Sequence, residues 1–110
     1  MIVINVLRDF SEEPSGRCLS DGPDCAVRLR NIIIGHFEQK EIVQLELDGV
    51  LGYSFAFLEE CFGGLVRQGY SIEYLKAHLH IVTDNHRYKH NINLFMEAAT
   101  TGNYGLHKPI

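Results

Sequence analysis

Strand-like and helix-like runs alternate along this chain, and that alternation constrains the fold more than any other feature. Residues 2–7, IVINVL, are β-branched and apolar around Asn5, the pattern of an interior strand. Residues 42–47 alternate, with Val43, Leu45 and Leu47 on one side and Gln44 and Glu46 on the other, which predicts a half-buried strand. Residues 78–82 predict a third strand. Between the first two, Asp24 is placed to cap a helix through Phe37, in which Ala26, Leu29, Ile32, Ile33 and Phe37 keep helical spacing. Residues 55–68 predict another helix, striped by Phe55, Leu58, Phe62, Leu65 and Val66. Gly63 and Gly64 inside it each cost roughly 1 kcal/mol against Ala, which implies close backbone packing there. Ser71 caps a short turn holding Ile72, Leu75 and Ala77, and Asp84 or Asn85 opens a last helix carrying Tyr88, Ile92, Phe95, Met96 and Ala99.

Residues 10–24 are rich in Ser, Gly, Pro and Asp, so they predict a turn-dense loop with a short strand near Arg17. Residues 100–110 predict an irregular tail. The expected architecture is one small α/β domain over residues 1–110, with a mixed β-sheet and helices packed mainly on one face. Asn5, Gln44, Glu46, His78 and His80 are the off-phase positions of the three strands. They are expected to share a polar sheet face left for solvent or a partner.

Composition narrows the function classes. A length of 110 residues is enough for one core without staples. The net charge is -4 and the Lys and Arg residues are scattered, so nothing supports nucleic-acid binding. Three cysteines, Cys18, Cys25 and Cys61, form no CxxC pair, which fits a reducing compartment and gives no thiolate metal site. The first ten residues lack the features of a signal peptide, and no apolar run approaches the ~20 residues of a spanning helix. A cytoplasmic address without membrane contact is expected. No phosphate-loop, nucleophile-elbow or dinucleotide motif is present, so no cofactor is expected and no enzyme class is supported.

Four groups of side chains are candidates for function. Ser54 opens the helix after the second strand, where helix amides favour negative charge; it is either a plain N-cap or a phosphoacceptor. Glu59 and Glu60 in the first turns form an acidic partner-facing patch or a salt bridge to Arg67 or another base. As a general acid–base pair they are disfavoured, because adjacent helical residues diverge by about 100°. His78 and His80 on a strand and His86 and His90 at i, i+4 on a helix have spacings that suit a metal, though no acidic or thiol ligand stands at a motif distance. Arg17 and Asp21 predict an anion-binding or a self-pairing turn, with Gly16 and Gly22 letting the backbone bend; a loop held by the Arg–Asp pair is the favoured reading.

The block LDGV-GY-FLEE-FGGL resembles a bacterial STAS-like family of unknown function. It is carried by Asp48, Gly49, Val50, Gly52, Tyr53, Phe57, Leu58, Glu59, Glu60, Phe62, Gly63, Gly64 and Leu65. Phe10, Pro14, Gly16, Arg17, Asp21 and Gly22 match a second, upstream block. The resemblance implies a STAS-like α/β fold, related in layout to the anti-sigma-factor antagonists. Those bind a kinase-type ATPase and are switched by phosphorylation of a serine at a helix N-terminus. The chain departs from the pattern where the family shows serines, since Phe55 and Ala56 stand there and Ser54 comes earlier, rotating the hydroxyl away.

These readings converge on a non-enzymatic, regulatory protein-interaction module. Its expected partner is a protein such as a kinase-type ATPase, met by Gly52, Tyr53, Ser54, Phe55, Glu59 and Glu60. The alternatives are a metal- or small-ligand-binding protein using His78, His80, His86 and His90, and a homodimer formed through the polar sheet face or an edge strand.

Overall fold

In a computed structural model, which describes residues 1–101, three strands make one parallel sheet in the order β1 (Ile2–Asn5), β2 (Val43–Glu46), β3 (Leu79–Val82). Ile2 lies beside Val43 and Val43 beside Leu79, so the core-facing residues of the three strands stay in phase. The expected mixed sheet is thus wholly parallel among the described residues. Each connection contains helix, and a parallel neighbour needs such a crossover.

Crossovers of one hand that step across a sheet in one direction deliver their helices to the same face. Burial agrees: Ile4, Val43, Leu45 and Leu79 are buried, while Val3, His80 and Val82 on the opposite face are exposed. The face expected to be polar carries Asn5, Gln44, Glu46 and His80 as predicted, with Asn5 Nδ2 and Gln44 Nε2 both donating to Glu46. It also carries two exposed valines. His78 is not part of it, because it is the last residue of a helix rather than the first of a strand.

The first strand is shorter than its apolar run. Asn5 accepts from Arg8 N–H and caps α1 (Val6–Asp9), so the chain turns helical at Val6. The following loop contains a 3₁₀ turn (Leu19–Asp21) and not the expected short strand. It docks on α2 (Ala26–Glu38): the carbonyls of Gly16 and Arg17 accept from Ala26 and Val27 N–H. Those backbone acceptors satisfy the orphan amides that Asp24 was expected to cap, and the N-cap position belongs to the buried Cys25. Ala26, Leu29, Ile33 and Phe37 of α2 are buried, and Ile32 lies at the edge of the stripe, exposed.

The helix after β2 is not uniform. α3 (Phe55–Leu58) passes into a π turn (Glu59–Gly63) and then α4 (Gly64–Arg67). The buried stripe is Phe57, Leu58, Cys61, Phe62 and Leu65, so Phe55, expected at its start, is outside it. Ser71 caps α5 (Ile72–His78) through Tyr74 N–H, as predicted, with Leu75 buried and Ala77 exposed. Asn85, one of the two predicted caps, accepts from Arg87 and Tyr88 N–H at the start of α6 (His86–Thr101), which buries Ile92 and Met96. Thr100 and Thr101 continue that helix, where an irregular tail was expected. The rest of the tail, residues 102–110, lies outside the described residues. No helix among the described residues is long and apolar enough to cross a membrane.

Candidate functional site

The turn between β2 and α3 forms at the carboxyl end of the central strand, the end where open α/β sheets carry their sites. Asp48 closes the strand. Its carboxylate accepts from the Thr83 hydroxyl at 2.5 Å and from Asp84 N–H at 2.8 Å, which ties the end of β2 to the loop before α6. These two bonds, the Thr83 one foremost, hold the Asp48 carboxyl below its ordinary pKa. Gly49 then takes φ +107°, in the left-handed region, and a side chain there would be strained.

Tyr53 turns inward. Its hydroxyl donates to the Leu47 carbonyl at 2.6 Å, and its ring meets Tyr88 edge-on at 5.2 Å and tilts against Phe57. Burial, with Tyr88 and Asp48 adding, pushes its phenol well above the ordinary range. Tyr53, expected among the partner-facing residues, instead fastens the turn through its hydroxyl. Gly52 is half-buried beside it. Ser54 is exposed and its Oγ accepts from Phe57 N–H at 3.0 Å, the geometry of an N-cap.

Two large apolar side chains flank that serine. Leu51 is 97% exposed and Phe55 68% exposed, and the Phe55 ring reaches Phe95 of α6 edge-on at 6.2 Å. Leu51 was missed in the sequence. Its only signal there is negative: it sits alone in a glycine-containing turn, with no strand or helix neighbour to bury it.

Glu59 and Glu60 do not form a solvated patch. Their side chains are only 14% and 17% exposed, and three arginines surround them. Arg17 Nη1 meets Glu59 at 2.7 Å and Glu60 at 3.3 Å; Arg67 meets Glu59 at 2.5 Å and Glu60 at 3.5 Å; Arg30 meets Glu60 at 2.8 Å. The salt bridge to Arg67 considered in the sequence is therefore present, and two further arginines extend it. Burial by itself pushes the Glu59 carboxyl up, but hydrogen bonds from Arg67 and Arg17 outweigh it and leave its pKa below the ordinary value. The expected Arg17–Asp21 side-chain pair is absent. Asp21 instead accepts from the backbone N–H of Arg17 and Cys18, freeing the guanidinium to cross to the helix.

The glycines of the FGG motif make room for this cluster. A Cβ on Gly63 would stand 3.0 Å from Glu59 Oε2 and 3.2 Å from Arg67 Nη1, and one on Gly64 would collide with Arg30. Cys61 is fully buried beneath, and burial raises its thiol pKa, which makes it inert packing.

The histidines do not converge. The His78 ring stacks on Tyr74 at 3.9 Å and its Nδ1 bonds the Tyr74 carbonyl, while His80 points to the open sheet face. His86 and His90 are exposed on α6. Among the described residues, no group of three or more His, Cys, Asp or Glu side chains is placed to hold a metal ion.

Comparison with known proteins identifies a family. A family model described as a STAS-like domain of unknown function covers residues 26–89, more than half of the chain and all of the turn and helix of the site, with Arg17 and Phe95 outside it. No curated protein and no solved structure matches.

Proposed function

We infer the function from one premise: the chain belongs to the STAS-like family of domains of unknown function. It acts as a protein-interaction module that performs no chemistry of its own, and it meets its partner through the turn of residues 51–55. The observation that carries this reading is the pair Leu51 and Phe55, left in solvent on either side of the capping Ser54. Exposed large apolar side chains are common singly, but two within one five-residue turn, one of them against Phe95, are the kind of residue that interfaces bury. The turn beneath is fastened by Tyr53 and Asp48, so little ordering entropy remains to oppose binding. Glu59 and Glu60 contribute by holding the helix and not by touching the partner. A kinase-type ATPase fits as partner by layout alone, and phosphate on Ser54 would place about -1.5 to -2 charges beside Phe55, releasing the partner.

Titration calorimetry of the purified chain against kinase-type ATPases from the same genome tests this. Leu51→Asp and Phe55→Asp are expected to weaken binding at least roughly tenfold, as is Ser54→Asp, with melting temperatures close to wild type. Arg28→Asp, on α2, serves as the control that leaves binding unchanged. Equal affinity for all four variants would remove the turn from the interface, and failure of every such ATPase to bind would remove that partner class.

A further inference from the structure

The outer edge of β3 carries unpaired main-chain groups of known direction. The Val82 carbonyl accepts from Leu47 N–H at 3.0 Å, so the backbone groups of Val82, and of His80 two residues earlier, face β2. Those of Leu79 and Ile81 must then face outward. Leu79 N–H is taken by the Leu75 carbonyl at the end of α5. Among the described residues, the Leu79 carbonyl and both backbone groups of Ile81 are left along a free strand edge.

A groove of about 280 Å³ runs beside that edge, between α5 and α6. Leu79 and Ile81 line it from the helix side of the sheet and His80 from the opposite side, so it follows the strand edge and not one face. Its apolar lining is Leu75, Leu79, Ile81, Ile92 and Met96. Its rim is basic: Lys76, His80 and Lys89 are exposed along it, and no carboxylate lines it, although the chain as a whole has a net charge of -4.

We propose that β3 accepts an extended acidic peptide segment as a fourth strand, with apolar side chains in the groove and carboxylates against Lys76 and Lys89. Main-chain bonds supply the register, and alternate side chains supply the specificity. A second copy of the chain is the poorer occupant, since two-fold pairing of this edge would set the same lysines against each other. This surface is separate from the turn of residues 51–55, and the two readings stand or fall independently.

Backbone amide NMR and fluorescence anisotropy with a labelled peptide of alternating Glu and Val test it. Two companions are a Lys–Val peptide and a Glu–Val peptide with central proline. The Glu–Val peptide is expected to bind, more weakly as salt is raised, with shifts concentrated at Leu79, Ile81, Lys76 and Lys89. The double variant Lys76→Glu, Lys89→Glu is expected to lower its affinity roughly tenfold with melting unchanged. No binding, shifts away from β3, or equal affinity for either companion peptide would overturn the proposal. Concentration-dependent dimerisation that moves the Ile81 amide would also overturn it, assigning the edge to a second copy.

Discussion

Arg30 lies across Gly64. A Cβ built on Gly64 would stand 3.0 Å from Arg30 Cδ, and the guanidinium beyond reaches the Glu60 carboxylate and carbonyl at 2.8 and 3.2 Å. One missing side chain thus lets an arginine of α2 bind the helix that follows the central strand, and it joins the crossover helices beneath the candidate interaction turn.

Gly64→Ala therefore tests steric fit against helix propensity. Alanine gains about 1 kcal/mol intrinsically, but overpacking costs about 1–3 kcal/mol and Arg30 must leave its partner. Net destabilisation is expected in urea unfolding. Gly35, in α2, is exposed with open space around its Cα, so Gly35→Ala is expected to stabilise by about 0.5–1 kcal/mol. Opposite signs at two helical glycines are the outcome to look for; stabilisation at both would mean that Arg30 moves aside freely.

Removal of Glu60 strands a guanidinium. The Arg30 side chain is 11% exposed, and its Nε already has no hydrogen-bond partner among the described residues. Glu60→Ala is expected to cost about 2–3 kcal/mol at neutral pH, since breaking a largely buried pair leaves an uncompensated charge. Replacing Arg30 by Met as well should recover part of that loss. Chemical denaturation of the two single variants and the double variant, as a cycle, measures the coupling directly.

Acid sensitivity follows from the same cluster. The Glu59 pKa is lower in the folded chain than its ordinary value, because the bonds from Arg67 and Arg17 outweigh burial. A carboxyl depressed on folding contributes stability that is complete above the unfolded pKa, about 4.3 for Glu, and disappears as pH falls through the folded one. Stability is expected to hold between pH 7 and pH 5 on this account and to decline below about pH 4. Urea midpoints over that range should decline less steeply for Glu59→Gln than for wild type. Parallel curves would assign the acid response to other groups.

The turn has two fasteners that can be cut separately. Ser54→Ala removes the cap on Phe57 N–H and is expected to cost about 1 kcal/mol, whereas Ser54→Asp keeps an acceptor there and should cost less. Tyr53→Phe removes the donor to the Leu47 carbonyl and is expected to cost about 1 kcal/mol or more. Thermal melts measure both. Hydrogen exchange at residues 49–55 should rise in Tyr53→Phe and stay near wild type in Ser54→Asp.

Local chemistry was legible in the sequence where one segment decides its own conformation. The alternation of residues 42–47 marked β2, Ser54 and Ser71 were read as caps, and the adjacent glycines signalled a close approach. The misreadings fall where a contact outside the local hydrophobic pattern competes. Asp24 is a good capping residue, yet the carbonyls of Gly16 and Arg17 reach the same amides. Phe55 fits a helical stripe, yet the buried stripe is centred on Phe57, Leu58, Cys61, Phe62 and Leu65, and Phe55, the first residue of α3, lies at its edge against Phe95. His78 looked strand-like, yet stacking on Tyr74 keeps it in α5.

Taken alone, then, the sequence determined the three strands and the main helices in outline, the in-phase apolar faces and the family resemblance, because hydrophobic period and turn chemistry are properties of short windows. Only the tertiary structure decided that the sheet is parallel throughout, that Glu59 and Glu60 are enclosed by Arg17, Arg30 and Arg67, and that Leu51 and Phe55 stay in solvent. Charge pairing and burial depend on which residues far apart in the chain become neighbours, and no local pattern encodes that.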